Sequence, residues 1–176
     1  AALSADRSIA NERIALPSLD IITLGAGGGS IGRAESGQLL KVGPQSAGAM
    51  PGPACYGNGG KLATVTDASV VLGYLDAENF LGGDMSLDKE AAFSAVKSVA
   101  DQLGRGVEDT ALAIVQIANN NMVGALRSVL VERGLDPRDF TLLAFGGVRR
   151  VARVVRTASG NDIPWPTVND TSNKGA

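Results

Sequence analysis

Residues 24 to 32, LGAGGGSIG, place five glycines in nine positions and add one hydroxyl, Ser30. Backbone without Cβ atoms lets a ligand approach main-chain amides closely, and a hydroxyl can donate or accept beside them. Three roles fit: a cradle for phosphate, a loop facing a substrate or a partner lobe, or a bend with no ligand. A phosphate cradle needs amides converging at a helix N-terminus and usually a lysine. Gly27, Gly28, Gly29 and Ser30 are followed by no convincing helix and lack the Gly-Lys-Ser ending of a P-loop. Asp67, in TVTDA, comes after a strand-like stretch and ahead of a helical one. Its carboxylate suits a helix N-cap and, beside a long Gly-rich loop, could hold a metal or a substrate amine. The chain has no histidine, so no Ser-His or Cys-His pair can be built from it. Cys55, between turn formers in PGPACYG, therefore reads as a small buried residue rather than a nucleophile. The run Asn119-Asn120-Asn121 is poor in helix propensity, so at least one of its amides should meet a partner.

The elements that must carry these residues follow from pattern. ERIAL (12–16) reads as a short strand and residues 19–24 as a buried one. Residues 25–60 hold 12 of the 23 glycines and three prolines, a density that argues against regular structure, apart from a small hairpin at GQLLKVG. LATVT (62–66) reads as a strand, with Asp67 opening a short helix, ASVVLGYL. Ala92, Phe93, Val96, Val99, Ala100 and Leu103 recur at helical spacing, with Ser86 or Asp88 as N-cap and Gly104 as terminator. A longer helix puts Leu112, Val115, Ala118, Met122, Ala125, Leu126 and Val129 on one face and closes at Gly134. FTLLAFGG (140–147) suits a central strand emptying into a loop.

Composition narrows the class. Aromatics make up only 4% of the chain against 44% hydrophobic residues, so Ala, Val, Leu and Ile must fill the core, which favours helices on buried strands. A net charge of −2 gives no basic field for nucleic acid or an anionic membrane, and no apolar run is long enough for a membrane span. A small-molecule or protein partner is expected, and a single cysteine without a signal-peptide pattern points to a cytoplasmic setting.

The segments DIITLGAGGGSI, VGPQSAGAMPGPACYGNGG, TVTDASVVLGYL, NFLGGDM and VERGLDPRDFTLLAFGG, in that order, resemble the hydantoinase A / 5-oxoprolinase family. That family includes ATP-dependent N-methylhydantoinases, 5-oxoprolinases and homologous subunits of acetone and acetophenone carboxylases. The resemblance implies an α/β fold, part of an actin/Hsp70/sugar-kinase-like lobe with strands, a long Gly-rich loop and packed helices. It implies ATP-dependent opening of a cyclic amide, in which phosphorylation of the ring amide oxygen eases attack on the carbonyl carbon. Gly27, Gly28, Gly29, Ser30 and Asp67 would lie on the substrate side, with Asp67 the catalytic candidate, and Gly146 and Gly147 toward the adenosine. ATP and Mg²⁺ would serve the complete enzyme, with a hydantoinase B-like subunit or an N-terminal lobe as partner; alternatives are a ketone carboxylase subunit and a non-catalytic module.

Departures from the family pattern sharpen this reading. Neither D-x-GGT phosphate motif occurs, so the chain looks like an internal piece of a larger subunit and is expected not to hold ATP tightly alone. Ile22 stands where the hydantoinase branch often has histidine, which leaves the metal open. Past Gly147, Val148-Arg149-Arg150 replaces Ala-Gly-Pro-Leu-His. Residues 1–147 are therefore expected to form the family-like domain, and 148–176, rich in turn formers, to stay outside the core.

Overall fold

The computed structural model describes residues 24–36, 38–80 and 85–140, together with the backbone of four short strands among the first nineteen residues. Those strands form two antiparallel pairs, β1 (Leu3–Ser4) with β4 (Ser18–Leu19) and β2 (Arg7–Ile9) with β3 (Glu12–Ile14). The expected strand at 12–16 is thus seen as Glu12–Ile14, whereas most of the stretch 19–24 lies outside the described residues.

A hairpin of β5 (Ser30–Glu35) and β6 (Leu39–Ser46) follows, in register Arg33 with Lys41 and Glu35 with Leu39, with an irregularity between Ser30 and Gly32. It is longer than the GQLLKVG turn and overturns the expectation that the glycine density excludes regular structure. Two of the glycines lie within strands, Gly32 in β5 and Gly43 in β6. At Gly32 a Cβ would come 2.9 Å from Ile114 Cδ1, so glycine here lets a strand press on a helix.

Three α-helices follow among the described residues: α1 (Val65–Val71), α2 (Lys89–Leu103) and α3 (Val107–Glu132). The expected strand LATVT shrinks to one bridge between Thr64 and Ile31, and α1 begins at Val65 rather than after Asp67. The physical reason is a capping box. The Thr64 hydroxyl accepts from Asp67 N while the Asp67 carboxylate accepts from Thr64 N, which satisfies helix-end donors more effectively than edge pairing would. Asp67 is therefore the third residue of the helix and not its N-cap. For α2, Asp88 takes the N-cap, accepting from Ala91 N, and Gly104 closes the helix in the left-handed region.

The helices pack on each other and on the hairpin around Val42, Val65, Ala68, Val96, Leu103 and Ile114; among the described residues the fully buried part of this core is aliphatic, with Tyr74 packed against its edge. A second cluster joins Cys55, Val70, Leu75, Leu87 and Ala92. Three expected core residues differ: Phe93, Leu112 and Leu126 are exposed, because the inward faces are Ala92-Val96-Val99-Leu103 on α2 and Ala111-Ile114-Val115-Ala118 on α3. Beyond Ala118, α3 runs past the described core, and Val123 and Leu126 are exposed. Among the described residues no helix is long and apolar enough to cross a membrane.

Candidate functional site

The Gly-rich loop is a turn fixed through its carbonyl groups. Ser30 N donates to Gly27 O (3.0 Å), and Gly27 N donates back to Ser30 Oγ (3.0 Å). Gly28 O accepts from both Thr66 N (2.9 Å) and Thr66 Oγ1 (3.0 Å), and Gly29 O accepts from Ala47 N (2.9 Å). The loop is thus sewn to the first turn of α1 and to the end of β6. The amides of Gly28 and Gly29 make no hydrogen bond to any described residue. A side chain would not fit: a Cβ on Gly28 would stand 2.7 Å from Thr66 Oγ1, and one on Gly29 2.7 Å from Ser46 Oγ. Ser30 is buried and its hydroxyl accepts within the turn, so it shapes the loop and does not line the cavity beside it.

Asp67 has no exposed surface. Its Oδ2 accepts from Thr64 Oγ1 (2.7 Å), Thr64 N (2.9 Å) and Ala54 N (3.2 Å), and its Oδ1 from Cys55 N (2.8 Å). The carboxylate therefore ties the start of α1 to the 3₁₀ turn Ala54–Tyr56. Backbone donors repay the cost of burying the charge, which an isolated carboxylate could not bear. Cys55 is fully buried against it; burial first, and then the Asp67 charge, push its thiol far up, so it stays protonated. No three metal-ligating side chains of the types His, Cys, Asp and Glu come together among the described residues.

Around this anchor lies a cavity of about 350 Å³. Gly27, Gly28 and Gly29 form one side, Thr66 and Ser69 of α1 another, and Tyr56, Leu75, Phe80 and Met122 close it. The Tyr56 and Phe80 rings meet at 6.0 Å between centroids, tilted by 40°. Burial raises the Tyr56 hydroxyl above the ordinary tyrosine value, with a smaller contribution from Cys55, and the Thr66 hydroxyl offsets part of the shift. Tyr56 and Thr66 were not singled out from sequence. Their signal was position: Tyr56 directly follows Cys55 in PGPACYG, and Thr66 directly precedes Asp67 in TVTDA. A second cleft, about 420 Å³, lies between β5 and α2 and is reached by Arg33, Lys61 and Gln102 but by none of the expected site residues. Gly146 and Gly147 lie outside the described residues.

The family model of hydantoinase/oxoprolinase matches residues 1–157, most of the chain. The chain belongs to the hydantoinase/oxoprolinase family. Within that family it is 48% identical over 145 residues to caprolactamase subunit alpha of Pseudomonas jessenii, covering 82% of this chain and 21% of the relative. Among solved structures, the ATP-dependent caprolactamase from Pseudomonas jessenii superposes with a TM-score of 0.68 at 46% identity, covering 85% of this chain and 23% of that one. Nucleotide-free acetone carboxylase superposes with a TM-score of 0.69 at 32% identity, covering 90% and 22%. The chain spans about a fifth of the length of these family members. Its α/β arrangement is thus part of the fold of these ATP-dependent enzymes, as expected for part of an actin/Hsp70/sugar-kinase-like lobe.

Proposed function

We propose that this chain forms the substrate-binding side of an ATP-dependent enzyme that opens a cyclic amide such as a hydantoin or 5-oxoproline. One observation carries the reading: the loop Gly27–Gly29, anchored by Thr66, borders the 350 Å³ cavity beside Tyr56. A cavity of that size, mostly apolar with a few fixed polar groups, is the usual form of a small-ligand site. The part's contribution is binding and orientation. Pro53, Leu75, Phe80 and Met122 keep water from the ring, while the glycine backbone lets it lie against main-chain groups. Asp67 acts as a positioning residue, since one carboxylate holds both the turn that carries Tyr56 and the helix start that carries Thr66.

The described residues around the loop do not fit a triphosphate. Those that line the cavity include no cation, and α1 closes its own first turn with the Thr64–Asp67 box. ATP and Mg²⁺ are assigned to the rest of the complete enzyme, with Gly146 and Gly147 toward the adenosine and a hydantoinase B-like subunit or an N-terminal lobe completing the site. A second reading, the corresponding part of a ketone carboxylase, is favoured by the superposition on acetone carboxylase over 90% of the chain.

Saturation-transfer NMR on the chain with hydantoin and 2-pyrrolidinone tests the proposal. Signals are expected for the wild type and should vanish in Met122→Trp, where an indole on the half-buried face of α3 fills the cavity. Transfer from acetone but from neither cyclic amide would favour the carboxylase reading. No transfer from any of the three would leave a non-catalytic module.

A further inference from the structure

Which cyclic amide the cavity accepts follows from what lines it. None of the described lining residues is charged; the polar groups are the hydroxyls of Tyr56, Thr66 and Ser69 and the loop backbone. Two of these hydroxyls are already committed as donors: Ser69 Oγ donates to Val65 O (2.7 Å) and Thr66 Oγ1 to Gly28 O (3.0 Å). Thr66 Oγ1 gives its proton to Gly28 O and keeps lone pairs, one of them within reach of the neighbouring Tyr56 hydroxyl. The Gly28 and Gly29 amides, which make no bond to any described residue, are the donors of the wall, and the Tyr56 hydroxyl stands beside that of Thr66. The wall thus offers donors and acceptors, the set that a ring carbonyl and its neighbouring N–H require.

From these groups we infer that the site selects an uncharged cyclic amide and rejects one that carries a carboxylate, a conclusion that rests on the cavity being the cyclic-amide site. The ring carbonyl takes the glycine amides, and the ring N–H donates to the oxygens of the Tyr56 and Thr66 hydroxyls, which lie together on the facing wall. An added carboxylate then faces Leu75, Phe80 and Met122, with no cation among the described lining residues to pair with it. A buried carboxylate without a partner is strongly disfavoured.

Two ligands differ in that group alone: 2-pyrrolidinone, and 5-oxoproline, which is the same ring bearing a carboxylate. Dissociation constants from ¹⁵N–¹H chemical-shift titration of the chain should favour 2-pyrrolidinone by at least about tenfold, with shifts at Gly28, Gly29 and Thr66. Phe80→Arg, which brings a cation to the half-buried rim, should narrow or reverse the preference, read as the ratio of the two dissociation constants in the variant against that in the wild type. Wild-type binding of 5-oxoproline as tight as that of 2-pyrrolidinone, at the same amides, would overturn this selectivity and leave the cyclic-amide reading intact. Binding of neither ligand would overturn both.

Discussion

Replacing Asp67 by alanine removes a single buried acceptor on which four donors converge, three of them backbone amides, at Ala54, Cys55 and Thr64. Each buried amide left without a partner costs about 1 to 2 kcal/mol, so the expected loss of stability is about 3 to 6 kcal/mol. That is a large fraction of the ~5 to 15 kcal/mol typical of a whole domain. Asp67→Asn keeps one acceptor oxygen but turns an N–H donor toward the other cluster of donors, and should cost about 1 to 3 kcal/mol. Asp88 provides the comparison. It is an exposed N-cap accepting one bond, from Ala91 N at 2.9 Å, and its replacement by alanine should cost only about 1 kcal/mol because water takes its place. Urea unfolding followed by far-ultraviolet circular dichroism measures all three variants. If Asp67→Ala proves no more costly than Asp88→Ala, the assignment of Asp67 as the anchor between the 3₁₀ turn and α1 is wrong.

Other outcomes follow from the same contacts. Gly28→Ala should displace the Thr66 hydroxyl and destabilise the chain by about 1 to 3 kcal/mol, whereas Gly27→Ala, with nothing within 4 Å of its Cβ, should be neutral; thermal melts compare the pair. Asn121→Ala loses a bond from Nδ2 to Val42 O (3.2 Å) and should cost about 1 kcal/mol, while Asn120→Ala, exposed and on the same helix, should be neutral or slightly stabilising. Because the Cys55 pKa is raised on folding, its contribution to stability is intact below the ordinary thiol range and is lost as pH rises above it. Denaturation midpoints should fall above about pH 9, and a thiol reagent at pH 8 should label Cys55 only once the chain is unfolded.

How much of this could be read from the sequence depended on whether a residue's role was local. The caps of α2, Asp88 and Gly104, were legible because capping is decided within a few residues, and the need of the Asn119–Asn121 run for a partner was met by Asn121. The boundary of α1 was misread because strand propensity in LATVT lost to a side-chain exchange between Thr64 and Asp67. Gly32 was misread as loop because its reason is Ile114, far along the chain. The glycines of the cavity were visible as a motif. Tyr56 and Thr66 were not, since only the pairing of Asp67 with Cys55 N and of Thr66 with Gly28 O brings them to the same wall. Phe93 and Leu112 had the right spacing for a buried face, but one residue of rotation along a helix separates that face from solvent.

The central claim is that Gly27–Gly29 border a cyclic-amide site and do not cradle phosphate. Following the amide resonances of Gly27, Gly28 and Gly29 while the chain is titrated first with Mg-ATP and then with 2-pyrrolidinone tests it most directly. The expected result is negligible movement with Mg-ATP below the millimolar range and saturable movement with the cyclic amide. Micromolar binding of Mg-ATP centred on these three amides would contradict the claim and make LGAGGGSIG a phosphate loop.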